Sequence, residues 1–286
     1  GFLIDKNYSI LFSLPFLLVP TFWGWLFYFS RASLRPTASL QRVLQSVMLG
    51  YYADTIVYLG QWIAVYGLIK IITQIYRAFN HSVTVLLISA VWETLFESII
   101  LEAIPEEILK FLILYHISTL EPLRSKYGTV AYGICSCLGF IFFSGTLRIL
   151  RVYWMSGVYE GIVYFAIESI LTSTMQVVTA LWISLNFVKQ QFRHPDKDPF
   201  PTWRVVVPSI VFHSIFMSLI SVMYLLYYWG ELNWKLFALI CILAFFVLLL
   251  ALFLSFRRVK KLFVDPNFYA LLTTDDEPAD GDEDEE

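Results

Sequence analysis

Charge is scarce in this chain. Only 15% of its 286 residues are Asp, Glu, Lys or Arg, against about a quarter in soluble domains, and that shortage excludes an ordinary water-soluble globule. Cysteine is scarcer still. Cys135, Cys137 and Cys241 all fall in apolar runs, so there is no disulfide framework, and Cys-x-Cys is not a usual zinc-ligand spacing; the three read as packing residues. No His-Glu-x-x-His pattern occurs among the four histidines. No inverted repeat relates the two halves, which weakens a transporter reading. Nothing points to a nucleic-acid partner.

What remains is apolar: 58% hydrophobic and 18% aromatic residues, with a mean hydropathy of +0.67. The composition predicts an all-α, polytopic membrane helix bundle, because a span needs roughly 18 or more apolar residues. Eight candidate segments stand out, at about 9–30, 52–74, 83–103, 105–119, 127–149, 157–187, 205–229 and 234–256. The fourth is short, and Pro105 before it suggests a broken helix continuing from 83–103, since proline offers no N–H to the preceding turn. The expected organisation is a membrane domain over 1–264, followed by a tail over 265–286. Gly1 opens the sequence, which is compatible with N-terminal processing; the first span lacks a small-residue cleavage site, so no cleavable leader is expected.

The net charge of −3 conceals a division. Residues 275–286 hold nine acids, and without them 20 basic residues face 14 acidic ones, or +6. The tail cannot bury enough apolar surface to fold and reads as disordered. Arg257, Arg258, Lys260 and Lys261 follow the last span, and Lys189, Arg193, Lys197 and Arg204 flank the 188–204 loop, which places the loop and the C-terminus in the cytosol. Eight crossings would put the N-terminus there too, but Arg31, Arg35 and Arg42 in the first loop oppose it. Asn7 and Asn80 match the glycosylation pattern close to spans, where it carries little weight. Tyr269-Ala270-Leu271-Leu272 resembles a tyrosine-based sorting signal, so the expected location is a eukaryotic endomembrane such as Golgi, endosome or ER.

Chemistry concentrates in Ile104-Pro105-Glu106-Glu107-Ile108-Leu109-Lys110-Phe111. Ionisable groups at membrane depth are expensive and usually face a polar interior. In a helix, Glu106 and Lys110 stand at i and i+4, the favourable ion-pair order, and Glu107 points about 100° away, free for chemistry or a second partner. Further carboxylates lie nearby in sequence: Glu93, Glu97 and Glu102 before the motif, and Glu160 and Glu168 in the 157–187 segment. Glu102 and Glu160 read as span ends. His213 sits inside an apolar span, whereas His116 reads as interfacial and His81 and His194 as loop residues. A glutamate and an imidazole together are what water activation requires.

In order and spacing these motifs resemble the PrsW-type intramembrane peptidases, in a wider group with the CAAX-prenyl endopeptidases and the Aph subunit of gamma-secretase. The resemblance covers roughly residues 90–225. Glu106-Glu107-Ile108-Leu109-Lys110 is similar to the Glu-Glu-x-x-Lys block. Tyr132-Gly133 through Gly139-Phe140 is similar to the Tyr-Gly run, the 170–187 helix takes the place of a histidine-bearing helix, and Val207 to His213 is similar to the last block. The resemblance implies a peptidase-like core over about 83–229. Glu106 or Glu107 would be the general base for water, with Lys110 in support and His213 completing the site. It implies no cofactor beyond a divalent metal such as zinc, which such families have been read both with and without.

The departures are as specific. Ser144 stands where the family has a glutamate, Met175 or Gln176 where it has a histidine, and Met217 where an acid follows the last histidine. Two expectations therefore stand side by side. One is a glutamate-type endopeptidase cutting a membrane-anchored protein, with Ser144, Glu168 and Gln176 as supporting residues. The other is a degenerate relative that keeps the fold and serves as scaffold or subunit of a membrane complex. The lipid bilayer is a partner in both, with a membrane-anchored protein substrate in the first and a membrane-complex partner in the second.

Overall fold

The computed structural model describes residues 40–79, 82–120, 126–154, 158–192 and 202–264. Apart from short connections these residues are helical: α1 (Leu40–Ala78), α2 (Val83–Phe96), a π-helical turn (Glu97–Ala103), α3 (Ile104–Leu120), α4 (Lys126–Trp154), α5 (Val158–Phe192), α6 (Trp203–Tyr228) and α7 (Trp234–Val264). Among the described residues, six helical stretches are long and apolar enough to cross a membrane, with α2, the π turn and α3 counting as the single stretch Val83–Leu120. Helix is the expected answer in lipid, because each backbone polar group then finds its partner within its own segment.

The segments at 83–103 and 105–119 are thus one crossing, and Pro105 does not break it. In an α-helical register proline leaves the carbonyl four residues back, here Leu101, without a backbone donor. Gln61 of α1 makes the deficit good, its Nε2 donating to Leu101 O at 3.1 Å. Pro208 in α6 repeats the device: Arg204 O lies one turn back, and Asn186 Nδ2 of α5 donates to it at 3.4 Å. Glu102 accordingly lies inside a long span rather than at its end. The segment at 9–30, Asn7, Asn80, His81, His194 and the tail at 265–286 lie outside the described residues.

The π turn divides two different helices. None of α2 is buried, whereas α3 buries Glu106, Glu107, Lys110, Ile113, Leu114 and Ile117, spaced three or four apart on one face. A π turn inserts an extra residue, which rotates everything after it by about 100°. Here it separates a segment with no buried residue from one with a buried face.

Helices α4 and α5 form the centre: 72% of each apolar window is buried, against 6% for α1. Lipid is as apolar as leucine, so close backbone approach has to drive association. Gly133 and Gly139 of the Tyr-Gly run, with Gly50 of α1, provide it. A Cβ at Gly139 would collide with the Val47 carbonyl of α1, one at Gly50 with the Ser136 carbonyl of α4, and one at Gly133 with Ser184 of α5. Around this seam pack Ala53, Leu114, Ile117, Phe140, Ile183 and Phe187. The outer faces carry Trp62, Ile63, Leu243 and Phe246, all exposed, as residues in contact with acyl chains would be. Cys135, Cys137 and Cys241 are buried free thiols.

Candidate functional site

Four elements bring charge to one buried point. Glu106, Glu107 and Lys110 come from α3, Gln176 and Thr179 from α5, and His213 from α6, with Phe140 of α4 alongside. Lys110 is 10 residues from the end of α3 and His213 is 10 from the start of α6, so the cluster lies about 15 Å in from that end of the bundle.

Lys110 is at the centre. Its Nζ donates to Glu107 Oε1 at 2.6 Å, to Gln176 Oε1, and to Thr179 Oγ1 at 3.2 Å. An ammonium has three protons, and all three are engaged. The Phe140 ring lies 5.5 Å away and adds a cation–π contact. Glu107 Oε1 also receives His213 Nδ1 at 2.7 Å. An ionised carboxylate only accepts, so Nδ1 carries the proton in this bond. Gln176 Nε2 donates to Glu106 Oε2, so this one amide joins the second carboxylate to the lysine.

This corrects the expected pairing. Glu106 was the anticipated i,i+4 partner of Lys110, with Glu107 left free. Instead Glu107, at i,i+3, makes the ion pair, and Glu106 is reached through Gln176. Gln176 belongs to the cluster fully. Ser144 is turned to its own helix, donating to Ile141 O at 3.3 Å. The side chains of Glu160 and Glu168 lie outside the described residues. Thr179 went unnoticed in the sequence, although Ser169, Ser173, Gln176 and Thr179 recur every three or four residues along α5, a spacing that could have revealed a polar face. His116 is exposed near the end of α3, as an interfacial residue would be.

The cluster is closed. Glu107 and His213 have no exposed surface, and Lys110 retains 2%. Glu107 Oε2 and His213 Nε2 have no hydrogen-bond partner among the described residues. Nor do three His, Cys, Asp or Glu side chains converge there, among the described residues, as a metal would need; the cation at this point is Lys110 itself.

No family model, curated protein or solved structure matches this chain. The departures from the PrsW-like pattern can therefore be judged only in place. Met217, at the position where that pattern has an acid, is buried against Leu171, Met175, Phe216 and Cys241. The two methionines at the altered positions thus belong to one apolar cluster, while Gln176, next to Met175, belongs to the polar one.

Proposed function

We propose that this chain is a multi-pass membrane protein of the PrsW-like type that no longer cleaves peptides and acts as a scaffold or subunit of a membrane complex. The observation that carries this reading is the closure of the charged cluster around Lys110. All three of its protons are engaged, and Glu107 and His213 are shut away from solvent. Water activation needs a base with a water within reach, and such a buried network serves instead to lock one arrangement of α3, α5 and α6. Ser144 and the Met175–Met217 cluster support the same conclusion, since a carboxylate and an acid of the peptidase pattern are replaced by groups that pack or bond locally.

Alternating crossings by the six stretches among the described residues would bring Arg42, Lys189, Arg204, Arg257 and Arg258 to one end, against Lys70, Arg77 and Lys235 at the other. Positive-inside bias makes the first end cytosolic, and counting 83–120 as one crossing removes the conflict over the first loop. A eukaryotic endomembrane location rests on Tyr269-Ala270-Leu271-Leu272.

One observation favours the peptidase reading: the unpartnered Glu107 Oε2 and His213 Nε2. There, Glu107 would hold the Nδ1 proton and orient His213, and Nε2 would take a proton from the attacking water as the general base does in a carboxylate–imidazole pair. The test is reconstitution in vesicles with a panel of membrane-anchored fluorogenic peptides. No cleavage above the Glu107→Gln background is expected. Turnover by the parent chain that disappears in both Glu106→Gln and Glu107→Gln would sink the scaffold reading and establish the peptidase.

A further inference from the structure

A second feature lies on the other side of α6 from the charged cluster. Helices α5, α6 and α7 enclose a groove of about 690 Å³ at the end where α5 stops, α6 starts and α7 stops. Three cations surround it, Lys189, Arg204 and Arg258, each contributed by a different helix and all exposed. None of them has an acidic partner among the described residues. Trp203 stands at the same level, with the Arg204 guanidinium 5.3 Å from its ring. Deeper in, the wall turns apolar. Val207, Val211 and Ile215 repeat at intervals of four along α6 and are 41%, 49% and 65% exposed, so they form one continuous strip. Trp182 and Phe212 close the back, 4.9 Å apart, and Trp182 is anchored by its Nε1 donating to Ser255 Oγ of α7 at 2.7 Å.

We propose that this groove binds one anionic phospholipid, its headgroup phosphate on Lys189, Arg204 and Arg258 and an acyl chain along Val207, Val211 and Ile215. The charge and the polarity gradient both select this occupant. A snorkelling lysine at a span end is ordinary, but three cations from three helices around one cavity offer a phosphate several donors at once, two of them guanidinium forks suited to its oxygens. From Arg204 to Ile215 is 11 residues, about 16 Å of helix, so the strip runs about halfway into a hydrocarbon core of roughly 30 Å. A soluble phosphate would leave that strip unused. The proposal does not depend on whether the chain cleaves peptides.

The test is lipid retention. The full chain is reconstituted in equal mixtures of phosphatidylcholine and phosphatidylglycerol, extracted into mild detergent, and weighed intact by native mass spectrometry. One retained phosphatidylglycerol per chain is expected, undisturbed by millimolar inorganic phosphate. Lys189→Gln, Arg204→Gln and Arg258→Gln should each weaken retention roughly fivefold, a step equivalent to about 1 kcal/mol per cation. Lys235→Gln, at the opposite end, should not. These positions are exposed, so unchanged thermal unfolding of the triple variant in lipid-free detergent separates lost binding from lost folding. Equal retention by the triple variant, equal retention of phosphatidylcholine, or displacement by free phosphate would each overturn the proposal. So would lipid binding that appears only after residues 275–286 are removed, which would assign the groove to that acidic segment.

Discussion

Gln61 lies 40 residues before Leu101 and donates a hydrogen bond to its carbonyl, the acceptor from which Pro105 withholds a donor. The contact lies close to where two candidate half-spans join into one continuous helical stretch, Val83–Leu120. Gln61→Leu should leave the carbonyl unmet at a cost of about 1–3 kcal/mol. Pro105→Ala restores a backbone donor to the same turn, so the double variant should lose less than Gln61→Leu alone. Denaturant unfolding in micelles measures both; strictly additive losses would show that the two residues are not linked through this carbonyl.

The Glu107–Lys110 pair is buried on both sides. Glu107→Gln removes the charge but keeps the shape, stranding the ammonium, and should cost about 3–5 kcal/mol. Combining Glu107→Leu with Lys110→Met removes both charges and should recover part of that loss. A double-mutant cycle on unfolding free energies reads the coupling, and a coupling near zero would contradict the geometry.

Close approach of α1 and α4 rests on glycine. Gly139→Ala drives a methyl into the Val47 carbonyl, backbone that cannot swing aside, and should cost about 3 kcal/mol, the upper end for overpacking. Gly60 has nothing within 4 Å of its missing Cβ, so Gly60→Ala should stabilise α1 by about 0.5–1 kcal/mol. Thermal unfolding and the yield of monodisperse protein compare the two.

Met217 tests whether the altered position can be restored. Met217→Asp returns an acid to the place that the PrsW-like pattern gives it, but buries it among Leu171, Met175 and Phe216. The expected outcome is a loss of several kcal/mol with no cleavage of membrane-anchored peptides. Stable protein that gains turnover would show that the site lacks only that carboxylate.

By itself the sequence determined what depends on composition and short-range pattern. Apolar runs gave helices long and apolar enough to cross a membrane, where unpaired backbone is not tolerated, and ionisable residues inside those runs marked Glu106, Glu107, Lys110 and His213 as a group. Tertiary structure decided what depends on azimuth and on distant partners. Whether Glu106 or Glu107 meets Lys110 is decided by the partners around α3: Lys110 and His213 share Glu107 Oε1, and Gln176 takes Glu106. Gln176 became a bridge rather than a weak substitute for histidine because α5 carries it between Glu106 and Lys110. Pro105 failed to break its helix because the missing donor was replaced by a side chain from α1. Each of these depends on a contact between residues far apart in the chain, and local hydropathy carries no record of such contacts.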